Sequence, residues 1–518
     1  MSWPCPLTIL VGVLAVYLYL SPPADLDYCW QIRTGEVILR TGEIPPRDTF
    51  SYTLAGKRLP DHEWLYEVGL ALWYHWLGDP GLRWLRLVLF AAPLVVLAWQ
   101  LKKRGVAAHG IALTLWVCTL IFLSFERLRP MVFTTLGLQL AAGWIDDHVR
   151  GRKPLDVRLP LVMLLWGNLH PGVITGQALL IGAIASEWLS YFRGLTDRSM
   201  VRSLSIWAGL GLAATFVAPD PIGRLLYPFA PELRHPAQQL FREIRPPWDS
   251  LGRPPFVAEF ALCLALLFAW VLWVKRYHYR LWEWGLLLGV TLLAATATRA
   301  MIDWLVIASA WAVPHLGPLL RDRVQQRRRL ARFVLRWERL MKRIVAGPYF
   351  KPQVGWLSIM LIALGIFTIS PWSARIPEYE NPRWPQAAAD AIASGVLPSE
   401  PPRNIFSGSD EGAYLIWRFP TQARVYSDTR GFYYPGQLLM DSYYLPAADA
   451  EWPRRFERAV AYRTEYFLLP VTCRWWSLLE QHGARPLHRD EQYVLLTTTE
   501  VEAAVESWKR QVELASRP

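Results

Sequence analysis

The 518-residue sequence has no internal repeat, no low-complexity tract and only five cysteines. Those cysteines lack any metal-ligand spacing, which removes a cysteine-based metal centre from consideration. Cys5, Cys118 and Cys263 fall in apolar runs, and Cys29 and Cys473 in polar ones. A Cys29–Cys473 disulfide is open if both face an oxidising compartment, and so are two unpaired thiols. The N-terminal apolar run Leu7 to Leu20 lacks a basic segment before it and a small-residue cleavage site after it. It therefore reads as a retained signal anchor rather than a cleaved peptide.

Tryptophan and apolar side chains are abundant instead, with 28 Trp and 53% hydrophobic residues. Tryptophan favours the headgroup level of a bilayer, where ring and N–H are both satisfied, so the composition points to a membrane protein. The formal net charge is +12, but Arg321 to Arg343 alone holds ten Lys/Arg against Asp322 and Glu338. Such local basicity suits a cytoplasmic loop and not a groove for nucleic acid. Inside it, Phe333, Trp337, Leu340, Met341 and Ile344 recur at helical spacing, as in an amphipathic helix resting on the anionic inner leaflet.

The apolar runs predict spans at Pro4–Ser21, Leu82–Leu101, His109–Phe125, Met131–Trp144, Leu159–Asn168, Val173–Tyr191, Leu204–Val217, Phe256–Val274, Leu281–Thr298, Met301–Leu319 and Val354–Ile369, about eleven in all. Leu159–Asn168 is short of the ~20 residues a crossing helix needs and reads as joined to its neighbours or partly re-entrant. Residues 28–41 and 63–77 are amphipathic and read as short helices lying in the surface plane, the first ended by Gly42-Glu-Ile-Pro-Pro46. With the N-terminus inside, the inner loops carry Lys102-Lys-Arg104, Arg150 to Arg158, Arg193 to Arg202, Lys275 to Arg280 and Arg321 to Arg343. Each is rich in Lys/Arg, as the positive-inside rule asks. The loop 22–81, the turn 126–130, Asn168-Leu-His-Pro-Gly172, the loop 218–255, Arg299 and the C-terminus then face out.

From about residue 375 the composition changes. A helix over Ala387 to Ala393 and β-rich runs at Asn404–Phe406, Tyr414–Trp417, Arg424–Ser427, Tyr466–Val471 and Tyr493–Thr497 predict an outer α/β domain. The organisation is thus a polytopic α-helical membrane domain over residues 1–372, including the first outer loop at 22–81 and the basic cytoplasmic loop at 320–350, plus an extracytoplasmic α/β domain over 373–518.

The local patches are Asp27-Tyr-Cys-Trp30, Gly35, Gly42-Glu-Ile-Pro45, Asp48-Thr-Phe-Ser-Tyr-Thr53, Gly56 and His62-Glu-Trp-Leu65, followed by Arg129-Pro130, Asn168-Leu-His170, Gly412-Ala-Tyr-Leu-Ile-Trp417 and Asp428-Thr-Arg430. In that order, after a first span and ahead of an outer domain, they resemble the GT-C glycosyltransferase superfamily. That superfamily includes protein O-mannosyltransferases, the lipid A aminoarabinose transferase and bacterial relatives. The resemblance covers most of the chain in architecture and only these patches in residues. It implies sugar transfer from a polyprenyl-phosphate donor to a protein, lipid or glycan acceptor on the outer face of a bacterial cytoplasmic membrane.

Such a transfer needs a carboxylate to take the proton of the attacking hydroxyl and cations to hold the phosphate. Asp27 is the candidate base, against a structural helix cap. Asp25 assists it, or joins it in holding a divalent cation (Mg or Mn, the one cofactor in view), against a plain surface carboxylate. Arg129 and Arg299 are the phosphate candidates, against snorkelling to lipid headgroups. Relatives often carry an Asp near Arg129; here the nearby acid is Glu126, a candidate for substrate binding. His62 and Glu63 could bind the acceptor or orient Asp27, with a helix-start role for Glu63 equally open. His170 could contact the donor, or merely be hydrogen-bonded at a helix break. Asp428 and Arg430 could face the acceptor or pair with each other. Three other readings stay open: a ligase or polymerase of lipid-linked glycans, a non-catalytic scaffold, and a lipid-sugar transporter. The last predicts charges near the bilayer midplane and an inverted repeat, neither of which is seen here.

Overall fold

The computed structural model describes residues 26–58, 61–122, 128–226, 245–250, 257–325, 385–397 and 400–515. The predicted spans Pro4–Ser21 and Val354–Ile369, the amphipathic helix of the basic loop, Asp25 and Glu126 lie outside these residues. The chain divides into two compact units. One is Met1–Ser21, Leu77–Pro221 and Phe241–Ile376; the other is Pro22–Trp76, Ile222–Leu240 and Pro377–Pro518.

The helical unit follows the apolar runs. A continuous helical stretch, Trp64–Lys103, is broken at Gly78, whose backbone (φ 57°, ψ −154°) is open to glycine and strained for other residues. It therefore holds two helices, α2 (64–77), which belongs to the other unit, and α3 (79–103). Then come α4 (Ala108–Phe122), α5 (Val132–Val149), α6 (Arg158–Leu169), α7 (Val173–Phe192), α8 (Arg198–Thr215), α9 (Val257–Val274), α10 (Leu281–Thr296) and α11 (Met301–Gln325). By length and composition, Trp64–Lys103, Val173–Phe192 and Thr298–Leu319 can each cross a membrane. The other apolar helices, Gly110–Phe122, Ala258–Val274 and Leu281–Thr296, fall short of the ~20 residues of a full hydrocarbon core. Leu97, Ile145, Met163, Leu180, Val290 and Trp311 are among the buried side chains of one continuous core.

The basic loops assigned to one side meet at one end of this unit. Arg104, from the first, reaches Asp146 (3.0 Å) and lies over the Trp311 ring (4.1 Å). Arg150, from the second, bonds Glu283 (2.7 Å), and Arg152 bonds Asp147 (2.9 Å). Arg280, from the fourth, bonds the fully buried Glu187 (2.6 Å). The turns assigned to the opposite side gather at the other end of α5. There Thr135 donates to Asp303 (2.5 Å) and Thr134 meets the His170 ring (2.7 Å). Charge bias in the sequence thus sorted these loops as the fold does.

The second unit joins the first loop to the C-terminal residues. Its sheet has five strands in the order β2-β1-β3-β5-β4. These are β1 (Arg403–Phe406), β2 (Ala423–Val425), β3 (Tyr466–Pro470), β4 (His488–Arg489) and β5 (Tyr493–Thr497). β1 runs parallel to β2 and β3, and β5 runs antiparallel to β3 and β4. Around it lie α12 (Ser409–Arg418), α13 (Gly436–Tyr444), α14 (Trp452–Ala461), α15 (Arg474–Gln481) and α16 (Thr498–Ala515). Four of the five expected β-runs fall on strands. Tyr414–Trp417 instead lies in α12, because Asp410 and Glu411 favour a helix start just ahead of it and Ala413 to Ile416 are all buried. No disulfide joins Cys29 and Cys473; the Cys473 thiol accepts the Trp476 N–H at the start of α15.

Glu411 is held in the first turn of α12, where its carboxylate accepts the Tyr493 hydroxyl (3.1 Å). Burial, reinforced by Asp410, pushes its pKa up from 4.5 to about 7. The folded state therefore binds a proton that the unfolded state has released, and stability falls as pH rises from 4.5 to about 7. Glu411→Gln is expected to raise stability above that window by about 2 kcal/mol and to flatten the pH dependence within it. Thermal melts of both proteins across the window check this; parallel curves would refute it.

Candidate active site

The first loop supplies most of the candidate site. Asp27 opens helix α1 (Asp27–Thr41), which ends where Gly42 adopts the left-handed conformation (φ 72°) and its N–H returns to the Ile38 carbonyl at 2.8 Å. Asp27 is the first helical residue, the N-cap position being Leu26, so it does not occupy the capping position weighed for it. It is 8% exposed. A carboxylate so placed loses hydration, although the helix N-terminus favours its charge.

α2 crosses α1 closely. A Cβ on Gly35 would lie 2.1 Å from the Glu67 carbonyl oxygen and 2.8 Å from the Ala71 Cβ, so only glycine permits this approach. One turn before that crossing, Gln31 donates to the Glu63 carboxylate (3.0 Å). The Glu63 N–H in turn bonds the Asp61 carboxylate (2.9 Å), which fixes the entry to α2. His62 and Glu67 are buried, at 4% and 2% exposure. The two helices thus tie Gln31, one turn along α1 from Asp27, to Glu63, and His62, Glu63 and Asp61 stand together at the entry to α2.

The rest of the loop is bound to the sheet. Phe50 to Tyr52 pairs with the edge strand β2: the Val425 N–H bonds the Phe50 carbonyl (3.1 Å) and the Tyr52 N–H bonds the Val425 carbonyl (3.2 Å). Arg33 bonds the Trp417 carbonyl. Between these ties lies a buried ionic cluster. Arg430 donates to Asp48 (2.7 Å) and, through two nitrogens, to Asp428 (2.9 and 2.6 Å). Tyr434 completes Asp428 (2.7 Å), and Ser51 completes Asp48 through its N–H (2.7 Å) and hydroxyl (2.6 Å). Burial works to raise the Asp48 pKa, but Arg430 and the two Ser51 hydrogen bonds outweigh it and hold it below 3.8. Burial works against the Arg430 charge too, yet Asp428 and Asp48 keep it firmly protonated.

The sequence reading left Asp428 and Arg430 open between pairing and facing an acceptor; they pair. It also placed Asp48 in a motif without a role and passed over Glu67, whose only signal was an acid on the apolar side of a short amphipathic helix.

The remaining candidates lie in the helical unit. Arg129 borders a small pocket with Arg86, Phe90, Phe122 and Thr135. Arg299 stands in the turn just before α11. His170 Nδ1 faces the Thr134 hydroxyl (2.7 Å) and accepts the Gly172 N–H (3.1 Å). That bond assigns the ring proton to Nε2. Among the described residues, no group of three or more His, Cys, Asp or Glu side chains is placed to hold a metal ion.

No protein-family model matches the sequence, and no curated protein matches it either. Solved structures do match. The apo oligosaccharyltransferase of Archaeoglobus fulgidus superposes with a TM-score of 0.54 at 10% identity, over 90% of this chain and 69% of that one. The oligosaccharyltransferase AglB of the same organism, in complex with an inhibitory peptide and a dolichol-phosphate, gives 0.52 at 11% identity over the same shares. ArnT from Cupriavidus metallidurans, in the apo state, gives 0.48 at 13% identity over 95% of this chain and 98% of that one. At identities this low the likeness is one of fold alone: this chain shares the fold of the Archaeoglobus fulgidus oligosaccharyltransferase structures.

Proposed function

We propose that this protein is an integral-membrane glycosyltransferase that moves a sugar from a polyprenyl-phosphate-linked donor to an acceptor on the outer face of the membrane. The observation that supports the reading is the buried Asp27 at the start of α1, one turn before the Gln31 that bonds Glu63, in a fold shared with oligosaccharyltransferase structures. AglB has been solved with a dolichol-phosphate, and the Archaeoglobus enzyme with a tethered acceptor peptide containing an NVT sequon. The first supports a lipid-linked donor here, and the second an acceptor bound by the same fold.

In this reading Asp27 accepts the proton of the acceptor group as its oxygen or nitrogen attacks the anomeric carbon. The bond from that carbon to the phosphate oxygen breaks, and the phosphate leaves with the electron pair. A base on the face opposite the leaving group gives inversion. Gln31 and Glu63 position the end of α1, and Asp25 assists. Arg129 and Arg299 are the phosphate ligands of this reading, since guanidinium groups keep their charge and grip phosphate oxygens in pairs.

The test is transfer in membranes from a panel of labelled polyprenyl-phosphate sugars and lipid-linked oligosaccharides. Asp27→Asn is expected to lower the rate by about 10²–10⁴-fold at unchanged expression. Undiminished transfer by the variant would remove Asp27 as the base. Absence of transfer from every donor by the wild-type protein would overturn the reading.

A further inference from the structure

A cleft in the sheet-containing unit lies beside the proposed base and is used by no step above. It is lined by Trp30 and Thr34 of α1, by Phe50, by Asp61 and Glu67, and by Arg430. Asp27, Trp30 and Thr34 stand at i, i+3 and i+7, so they share one stripe of α1. The cleft therefore opens about 4.5 Å along the helix axis from Asp27.

Two polar groups at this cleft are unmet among the described residues. The Trp30 Nε1–H is buried with no acceptor. Glu67 is 2% exposed, and its Oε2 is buried with no donor. A buried donor and a buried acceptor without partners each cost free energy that a ligand would recover.

The walls restrict what that ligand can be. Asp61 opposes an anion. Arg430 and Arg47 line it as well, so fixed charge of both signs disfavours a simple cation. The Phe50 and Trp30 rings line it as well, each with the Arg430 guanidinium over one face (5.3 and 6.0 Å to the ring centres). The sheet edge nearby is already paired with Phe50 to Tyr52, so an extended peptide cannot add there as a strand. What remains is a neutral ring that donates and accepts hydrogen bonds from adjacent atoms and presents polarised C–H groups to aromatic faces.

We infer that this cleft is a saccharide subsite and that the acceptor is a sugar hydroxyl. A hydroxyl would donate to Glu67 Oε2, a neighbouring oxygen would accept from Trp30 Nε1, and another hydroxyl would be presented toward Asp27. The inference rests on the glycosyl-transfer reading and adds the acceptor class to it.

Equilibrium binding to the purified full-length protein in nanodiscs tests it, with no donor present. The probes are methyl hexopyranosides, methyl N-acetylhexosaminides, blocked dipeptide amides and an alkylamine. At least one glycoside is expected to bind, and Trp30→Phe and Glu67→Gln are each expected to weaken it about tenfold. Both changes are nearly isosteric. Should either alter the elution profile, Thr34→Val removes a cleft hydroxyl instead, with weakening in the same direction. Absence of glycoside binding, binding indifferent to these substitutions, or preferred binding of the peptide amide or the amine overturns the inference. Because no transfer is read, failure here is distinct from failure of the Asp27 assay.

Discussion

Arg430→Met is expected to lower the thermal midpoint of the sheet-containing unit by roughly 10 °C. Its guanidinium is 6% exposed and bonds two carboxylates, Asp48 and Asp428, that are themselves fully buried at the side chain. Removing the cation leaves two buried negative charges facing each other, and breaking such a pair costs about 3–5 kcal/mol. In a unit of this size each kcal/mol shifts the midpoint by about 2–4 °C. Asp428→Asn should rank next, because Asp428 takes two guanidinium bonds and the Tyr434 hydroxyl. Asp48→Asn should be mildest, since Asp428 still compensates Arg430. The Asp48 carboxylate, with its pKa held below 3.8 in the fold, contributes stability that is complete above 3.8 and is lost as pH falls through the lower folded value. Temperature-ramped proteolysis of the full chain in nanodiscs reads cleavage within the sheet-containing unit. A midpoint for Arg430→Met within a degree or two of wild type would mean that the cluster is solvated and does not hold the loop.

The helices and the sorting of the loops were legible because they depend on local sequence. Apolar runs gave α3 to α11 to within a few residues at most ends. Basic residues at the ends of α3, α5 and before α10 were enough to place three loops together, and Arg104, Arg150 and Arg280 do meet one ion-pair network. The two short amphipathic helices of the first loop were legible by the same periodicity. The attachment of that loop to the sheet was not. It depends on Phe50–Tyr52 finding Val425 some 370 residues later, and on Asp48 finding Arg430. A strand of three residues and a pair of opposite charges leave no periodic trace. Tyr414–Trp417 was misread for the opposite reason: aromatic and β-branched residues signal a strand locally, while burial on four consecutive positions and acids one turn earlier fix a helix. In the site, Asp27 and Glu63 could be picked out as acids at a membrane boundary. Glu67 and Trp30 acquire meaning only once the α1–α2 crossing brings them to one cleft.

That crossing gives the second large effect. Gly35→Ala is expected to reduce the proposed glycosyl transfer by at least about 100-fold at unchanged expression. A methyl group there would sit 2.1 Å from the Glu67 carbonyl oxygen and 2.6 Å from its carbon, both backbone atoms on a packed helix. Neither can swing aside, so α1 must move from α2 by about an ångström to restore van der Waals distance. The Gln31–Glu63 bond, made at 3.0 Å one turn away, cannot follow such a shift. Asp27 lies a further turn along α1 and would be displaced with it, and a misplacement of about 1 Å at a reacting group costs on the order of 10²-fold in rate. Helix propensity argues the other way, since Ala in place of Gly favours a helix by about 1 kcal/mol. The clash must therefore win for the prediction to hold. Gly69→Ala, on α2 with open space where its Cβ would be, isolates the propensity effect and should leave transfer unchanged. Equal activity in the two variants would show that the spacing of α1 and α2 does not control the site. Loss in Gly35→Ala alone, at similar expression, would tie the activity to the spacing of α1 and α2.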